Sequence, residues 1–410
     1  MGGTVQQRSV VRVGASLIVA SLALTACGSR SEDGGGGTAT KTAKIGVIAP
    51  LSGDLSALGL GIQHSVELAV KQANDSNAIP GWKLEVDAKD DEAKPDVGKT
   101  AATSLSSDKD VIGVVGTLNS SVALQVQPVL APKNIVQISP ANTNPSLTQG
   151  ANWQSAPKRA YPTYFRTCTT DAVQGPFAAR YLFEKAGIKK VATIHDKKAY
   201  GQGLVGTFTE EFKAAGGQVV AAETINPEDS NYQAVISAVK PSAPQAVYYG
   251  GEYPQAGPLS QQMKAAGLNV PLMGGDGIYD PKFITLGGKT STGDLATSVG
   301  APVDTLESAK KFISDYNAAG FKDPYAAYGG YSYDAANAII NALKESLKDA
   351  SDVESARPKT VEALGKVSFE GVTGKVAFDQ YGDTTSKVLT VYKVAGGKWA
   401  TELTQDLAKK

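Results

Sequence analysis

The chain has 410 residues, with 40 Lys+Arg balanced by 40 Asp+Glu, 42% hydrophobic residues, two His and two Cys. That length predicts two domains or one large two-lobed body, and the apolar fraction is that of a globular chain, which excludes a disordered or collagen-like protein. Zero net charge offers no basic field for nucleic acid. Two Cys cannot build a disulfide framework or a four-thiolate zinc site, and with only His64 and His195 any metal site would be mostly carboxylate.

Arg8 and Arg12 precede an apolar, small-residue run from Val13 to Ala26, with no acid before Glu32. This is the n-region and h-region of a secretory signal, shorter than the roughly 20 residues a membrane-spanning helix needs. Residues 28–43 are rich in Gly, Ser and Thr and read as a flexible tether.

Alternation of strand and helix begins at Lys44. The pattern predicts strand Ile45–Ala49, helix Gly59–Asn74, strand Leu84–Ala88, helix Asp96–Ser106, strand Val111–Gly116, helix Ser121–Leu130 and strand Ile135–Ser139. After a break near Tyr161–Cys168 a second series follows. It comprises helix Phe177–Ala186, strand Lys190–His195, helix Leu204–Ala215, strand Gln218–Thr224, helix Tyr232–Val239, strand Ala246–Gly250, helix Pro258–Ala266 and strand Val270–Gly274. Three of these helices run into Gly187, Gly216 and Gly267, where a C-terminal cap favours glycine. The tail adds helices Leu306–Ala319, Tyr333–Leu347 and Pro358–Val367, then a hairpin-like region at Lys375–Phe378 and Val388–Val394. Continuous apolar strands between amphipathic helices imply parallel sheets covered on both faces. The expected fold class is therefore α/β, with two doubly wound Rossmann-like lobes and a ligand cleft beyond their strand ends.

Signatures of catalysis are missing. Gly98-Lys99-Thr100 resembles the end of a phosphate-binding loop, yet Ala93 stands where its first Gly belongs and no strand leads straight into it. Gly59-Leu60-Gly61 is followed by His64 and not by a third Gly, so it reads as the turn opening a helix. Asp90-Asp91-Glu92 reads as three exposed acids on a solvated loop. There is no GxSxG elbow and no HExxH. Cys168 could be a nucleophile, but its setting in the apolar stretch Tyr164–Thr169 reads as a small buried residue. The chain is expected to be a binder and not an enzyme, with no cofactor and no metal.

Some strand ends carry more than turn chemistry. Ile45–Gly53 (IGVIAPLSG), Val114–Ser121 (VVGTLNSS), Ile138–Pro145 (ISPANTNP), His195–Gly201 (HDKKAYG), Tyr248–Gly251 (YYGG) and Met273–Gly277 (MGGDG) follow one another in register. Leu24-Thr25-Ala26-Cys27 also resembles a bacterial lipobox, whose Cys receives diacylglycerol and becomes the first residue after cleavage. Together these resemble the type I periplasmic solute-binding proteins of ABC importers, in the leucine/isoleucine/valine-binding branch, over nearly the whole mature chain. The resemblance implies two lobes joined by three hinge crossovers. It places a signal peptide at residues 1–26, the Cys27 anchor and tether at 27–43, lobe one at 44–167 plus 299–373, and lobe two at 168–298 plus 374–410. Expected partners are a small amino acid, most of all Leu, Ile or Val, and separate permease and ATPase subunits. The protein would be a monomer held at the extracytoplasmic face of the cell membrane through its lipid alone, with no nucleic acid bound.

A zwitterion needs donors for its carboxylate, an acceptor for its ammonium and a pocket for its side chain. The resemblance assigns Ser120 and Thr143 to the carboxylate, Ala141 (through its carbonyl) and Asp276 to the ammonium, and Leu118, Tyr200 and Tyr328 to the lining. Leu58 and Glu252 stand where the branch carries tyrosines, and Ala93 and Asn119 where some members carry a Cys pair. Glu252 beside the ammonium end would either favour a cationic or more polar ligand or simply face solvent. An amide or another amino-acid-like solute sensed by a lipoprotein is the alternative reading.

Overall fold

The computed structural model describes residues 40–408; the signal segment, Cys27 and the tether up to Ala39 lie outside the described residues. Chain order in the first lobe is β1 (Lys41–Ala49), α1 (Ser56–Asp75), β2 (Trp82–Asp90), α2 (Pro95–Ser107), β3 (Val111–Gly116), α3 (Ser120–Leu130), β4 (Val136–Ser139), α4 (Ser146–Gln149) and β5 (Tyr164–Arg166). The strands pair in the order β2-β1-β3-β4-β5, all parallel. β3 and β4 are buried along their whole length, as a sheet covered on both faces requires.

The plan then repeats with α5 (Asp171–Arg180), β6 (Lys190–His195), α6 (Ala199–Ala214), β7 (Gln218–Thr224), α7 (Gln233–Val239), β8 (Ala246–Gly250), α8 (Tyr253–Ala265), β9 (Leu272–Gly274), α9 (Pro281–Gly287) and β10 (Leu295–Ser298). The order β7-β6-β8-β9-β10 reproduces the first sheet's plan. In both sheets the order reverses beside the first strand, and a doubly wound sheet places ligands at that switch point, beyond the strand ends.

Helices α10 (Lys310–Ala318), α11 (Gly329–Ser346) and α12 (Val353–Leu364) return to the first sheet. Trp82 Nε1 donates to the Leu347 carbonyl at 3.2 Å and Arg357 Nε to that of Val111 at 3.0 Å, tying this tail to β2 and β3. A small hairpin, β11 (Ser368–Gly371) with β12 (Gly374–Ala377), follows; then β13 (Val388–Ala395) and β14 (Lys398–Asp406) extend the second sheet antiparallel, beside β10. The backbone thus passes between sheets three times: after β5, after β10 and after β12. Among the described residues, no helix is long and apolar enough to cross a membrane.

Several expectations are corrected. The tail forms two hairpins in place of one: Lys375–Ala377 pairs back onto Ser368–Glu370, with Phe378 bridging to Thr384, and Val388–Val394 pairs with Trp399–Asp406. The second turn is made by Gly396 and Gly397, both at positive φ (57° and 74°), the geometry a two-residue hairpin turn demands. Helices α5, α8 and α12 begin well ahead of the sequence expectation for one shared reason. Each carries a proline five residues after its first residue (Pro176, Pro258, Pro358), and sequence patterning reads a proline as a helix start. Gly59-Leu60-Gly61 lies inside α1; a Cβ on Gly59 would meet the Pro50 carbonyl oxygen at 1.9 Å, so the glycine permits close packing of helix on backbone.

The Asp90-Asp91-Glu92 stretch is not a solvated loop, because Asp91 is wholly buried and only Glu92 is exposed. Asp91 Oδ1 accepts from the Ala93 amide at 2.8 Å, while Oδ2 has no partner. Burial pushes its carboxyl up to about 7. A carboxyl raised in the folded state costs nothing while protonated in both states. Its cost grows as pH rises from the unfolded value of about 3.9 and is full above about 7. Asp91→Asn should therefore leave stability unchanged near pH 4 and increase it at pH 7.5, by an amount on the order of 2–4 kcal/mol. Thermal unfolding monitored across that range checks this; equal curves at both ends would refute it.

Candidate functional site

The strand ends of the two lobes meet across a closed cleft. Glu252, at the N-terminal end of α8, accepts from Asn119 Nδ2 at 2.7 Å and from Lys198 Nζ at 3.1 Å, linking the lobes through a buried carboxylate. Asn144 Nδ2 donates to the Ala199 carbonyl at 2.6 Å, the Ala199 amide donates to Ser121 Oγ at 3.0 Å, and the Tyr253 hydroxyl donates to the Asp54 carbonyl. Removing Glu252 deletes a charge-assisted bond across the cleft worth about 1.5–3 kcal/mol. Glu252→Ala should therefore shift the unliganded protein about tenfold or more toward the open form, seen as a larger radius of gyration in small-angle scattering. An unchanged scattering profile would deny Glu252 this role.

Behind that latch lies a pocket lined by Leu118, Ser120, Ala141, Tyr200, Glu252, Asp276 and Tyr328, together with Leu58, Asn119 and Gly277. Seven of the eight residues singled out from the sequence thus share one crevice. Thr143 is not among its lining residues: it is fully buried, with its side chain beside the Asp171 carboxyl and its carbonyl accepting from the Asp171 amide at 2.8 Å. The pocket's volume is only about 20 Å³. That is room for about one water, because Leu58, Leu118 and the two phenols fill the crevice.

Ser120 is the first residue of α3, and Asn119 stands at the N-cap without a side-chain capping bond. The Ser120 hydroxyl is 1% exposed and has no hydrogen-bond partner. Helix capping therefore does not consume it. A free hydroxyl at a helix N-terminus, with the helix dipole behind it, is suited to an anion such as a carboxylate.

Asp276 faces Ser120 from the other lobe, at the end of β9. Its Oδ1 accepts from the Tyr200 hydroxyl at 2.9 Å and from Gln174 Nε2 at 2.9 Å, and its Oδ2 from the Tyr328 hydroxyl at 2.8 Å. Burial raises its pKa, opposed by those three donors. Nearby, Asp171 is pushed up to about 8 by burial and by the charge of Asp276. Asp196 is likewise raised to about 8 by burial and by Glu252. Of these acids only Glu252 and Asp276 line the pocket, and a carboxylate there suits a cationic group such as an ammonium, whose charge would favour the ionised form.

Sequence reasoning missed three residues that hold the site in shape. Gln174 clamps Asp276 twice, through the carboxylate and by accepting from the Asp276 amide at 2.9 Å, and it is held in turn by Thr297 Oγ1 at 2.7 Å. Asn142 joins the two loops of lobe one, donating to the Leu118 carbonyl at 2.9 Å and accepting from the Tyr164 hydroxyl at 2.9 Å. Arg166 is fully buried and holds the segment after β4 through the carbonyls of Asn142 (2.7 Å) and Asn144 (3.0 Å) and through Thr148 Oγ1 (2.5 Å). A lone charge inside the apolar stretch Tyr164–Thr169 was its signal. Cys168 is buried, donates to the Asn142 carbonyl and has its thiol pushed up by burial, so it is a protonated structural residue and not a ready nucleophile. Among the described residues there is no cluster of three or more metal-ligating side chains.

A pair of doubly wound lobes with three crossovers and a buried interlobe pocket defines a two-lobed ligand-binding fold. The family described as "Periplasmic binding protein" matches residues 42–398, and the chain belongs to it. It is 31% identical over 359 residues to Leu/Ile/Val-binding protein homolog 1 of Brucella suis biovar 1, covering 87% of this chain and 92% of that protein. Among solved structures it is similar to the leucine binding protein LivK of Thermotoga maritima (26% identity, TM-score 0.79, 90% of this chain and 100% of the other). It is also similar to the branched-chain amino acid transporter substrate binding protein LivJ of Streptococcus pneumoniae in complex with isoleucine (27% identity, TM-score 0.77, 90% and 99%).

Proposed function

We propose that this protein is the substrate-binding component of an ABC importer and captures a small amino acid, Leu, Ile or Val first, for delivery to a separate permease and ATPase. The observation that carries this reading is the opposition of an unpartnered, buried Ser120 hydroxyl at a helix N-terminus to the buried Asp276 carboxylate, one on each lobe. The first suits the carboxylate of a zwitterion and the second its ammonium; the names of the most similar relatives support the side-chain class. Lobe one comprises residues 44–167 plus 299–373 and lobe two 168–298 plus 374–410, with hinge bending at the three crossovers. Cys27 carries the lipid that holds a monomeric body at the extracytoplasmic face of the membrane. Binding needs no chemistry on the ligand, which shifts the equilibrium only by its differential affinity for the closed form.

A thermal-shift panel of amino acids and small amides tests the reading, since a ligand bound at a hundred times its Kd stabilises the native state by about 2.7 kcal/mol. Leu, Ile or Val should raise the melting temperature. A panel in which no amino acid does so would overturn the assignment.

A further inference from the structure

The two acids that line the pocket, Asp276 and Glu252, are held in different ways. The side-chain donors to Asp276 are all neutral: the Tyr200 and Tyr328 hydroxyls and the Gln174 amide. Glu252 has a cation of its own. Lys198, at the N-cap of α6, donates from Nζ to Glu252 Oε2 at 3.1 Å, with the two side chains 23% and 6% exposed. Asn119 Nδ2 donates to the other oxygen, Oε1, at 2.7 Å, so both oxygens of Glu252 are taken by this chain's own donors. A second acid is within reach of Lys198: Asp196 Oδ2 lies 4.0 Å from Nζ and has no hydrogen-bond partner, while Oδ1 accepts from the Lys198 amide at 3.0 Å. Burial and the neighbouring charge of Glu252 favour the protonated form of Asp196, which leaves Lys198 to Glu252 near neutrality. Burial works to lower the Lys198 ammonium, but the two acids outweigh it and keep it charged.

An unpaired acid in the pocket wall would by itself favour a cationic ligand, and Lys198 reverses that preference. Glu252 and Lys198 cancel, which leaves Asp276 as the lining carboxylate still without a cation. A zwitterion with an uncharged side chain completes the balance: its ammonium meets Asp276, and its carboxylate meets Ser120 and the positive end of α3. A second ammonium on the ligand would find Glu252 already paired and would lie near the Lys198 cation. A second carboxylate would lie near Glu252 and Asp276. Either leaves a charge out of water without a partner, which is costly. Resting on the amino-acid reading above, we propose that Lys198 sets the charge class of the ligand: by neutralising Glu252 it restricts the site to amino acids with uncharged side chains.

Calorimetry with L-leucine, L-2,4-diaminobutyrate and L-aspartate, which differ more in charge than in size, tests this on the protein and its variants. The unaltered protein should bind leucine about a hundredfold or more tighter than either charged amino acid. Lys198→Met strands the Glu252 carboxylate, and the affinity of diaminobutyrate relative to leucine should rise about tenfold or more. Glu252→Gln keeps the shape of the pair but strands the Lys198 ammonium, and the affinity of aspartate relative to leucine should rise by a similar factor. Combining the two substitutions removes both charges and should return the ranking to leucine first. Loss of the interlobe latch alone would weaken all three ligands by one common factor and leave the ratios as they were. Ratios that stay within about threefold of the unaltered protein's in the single variants, or a double variant that still prefers a charged ligand, would overturn the role of Lys198 while leaving an amino-acid binder standing. Should Lys198→Met not fold, the aspartate ratio in Glu252→Gln decides alone. Failure of every amino acid to bind the unaltered protein would remove both.

Discussion

Asp276→Asn should weaken amino-acid binding about ten- to hundredfold while the unliganded protein melts no lower than before. The first half follows from the loss of a charge-assisted bond to the ammonium, worth about 1.5–3 kcal/mol. The second follows from the residue's surroundings: it is buried, its carboxyl is raised by burial, and the isosteric amide removes a charge the fold must otherwise hold away from water. Calorimetry and thermal unfolding on the same preparation separate the two. Reduced affinity with an equally reduced melting temperature would indicate collapse of the site, and unchanged affinity would remove Asp276 from it. With the amide nitrogen in place of Oδ2, the Tyr328 hydroxyl can turn to accept from it while Gln174 and Tyr200 keep donating to the remaining oxygen, so the pocket's shape is kept.

Arg166→Met should be the most destabilising change. Arg166 and Asp383 form an ion pair at 2.6 Å with both side chains at most 2% exposed, and Asp383 also accepts from Gln149 Nε2 at 2.9 Å. Removing the guanidinium leaves Asp383 buried without its cation, a loss of about 3–5 kcal/mol. It also frees the carbonyls of Asn142 and Asn144, so the segment carrying Ala141 and Thr143 loosens and ligand affinity falls with stability. Burial works to raise the Asp383 carboxyl, but Arg166 outweighs it and holds the carboxyl below the usual range. The pair's contribution is accordingly present above the unfolded carboxylate value of about 3.9 and fades as pH falls through the lower folded value. The stability gap between wild type and Arg166→Met, measured by denaturant unfolding, should therefore be widest near neutrality and shrink toward pH 3. Adding Asp383→Asn should recover part of the loss by removing the stranded charge. A gap that ignores both pH and the second substitution would show that the ion pair is not the cause.

How much of this was legible in the sequence depended on the distance over which each signal acts. Parallel strands read well because their apolar runs are continuous and local. The repeat of the plan followed from the order of the runs alone, whereas the site residues at the strand ends came from the resemblance of their motifs to the family. Helix starts at Asp171, Tyr253 and Val353 were hidden because a proline inside the helix carries the same mark as one that begins it. Asp91 looked exposed because its neighbours are acids; its burial depends on α2 and α3 packing over it, with Gly98 against Val122. Gln174 and Arg166 act through partners 102 and 217 residues away, separations at which a single sequence offers no pairing rule. Thr143 was placed correctly in its loop, but its full burial beside Asp171 is a tertiary outcome.

The most direct measurement is a crystal structure of the protein with the tightest-binding amino acid from the thermal-shift panel. The account places the ligand's carboxylate at Ser120 Oγ and the α3 N-terminus and its ammonium at Asp276, between closed lobes. A ligand held elsewhere, or held in the cleft without touching both Ser120 and Asp276, would contradict it.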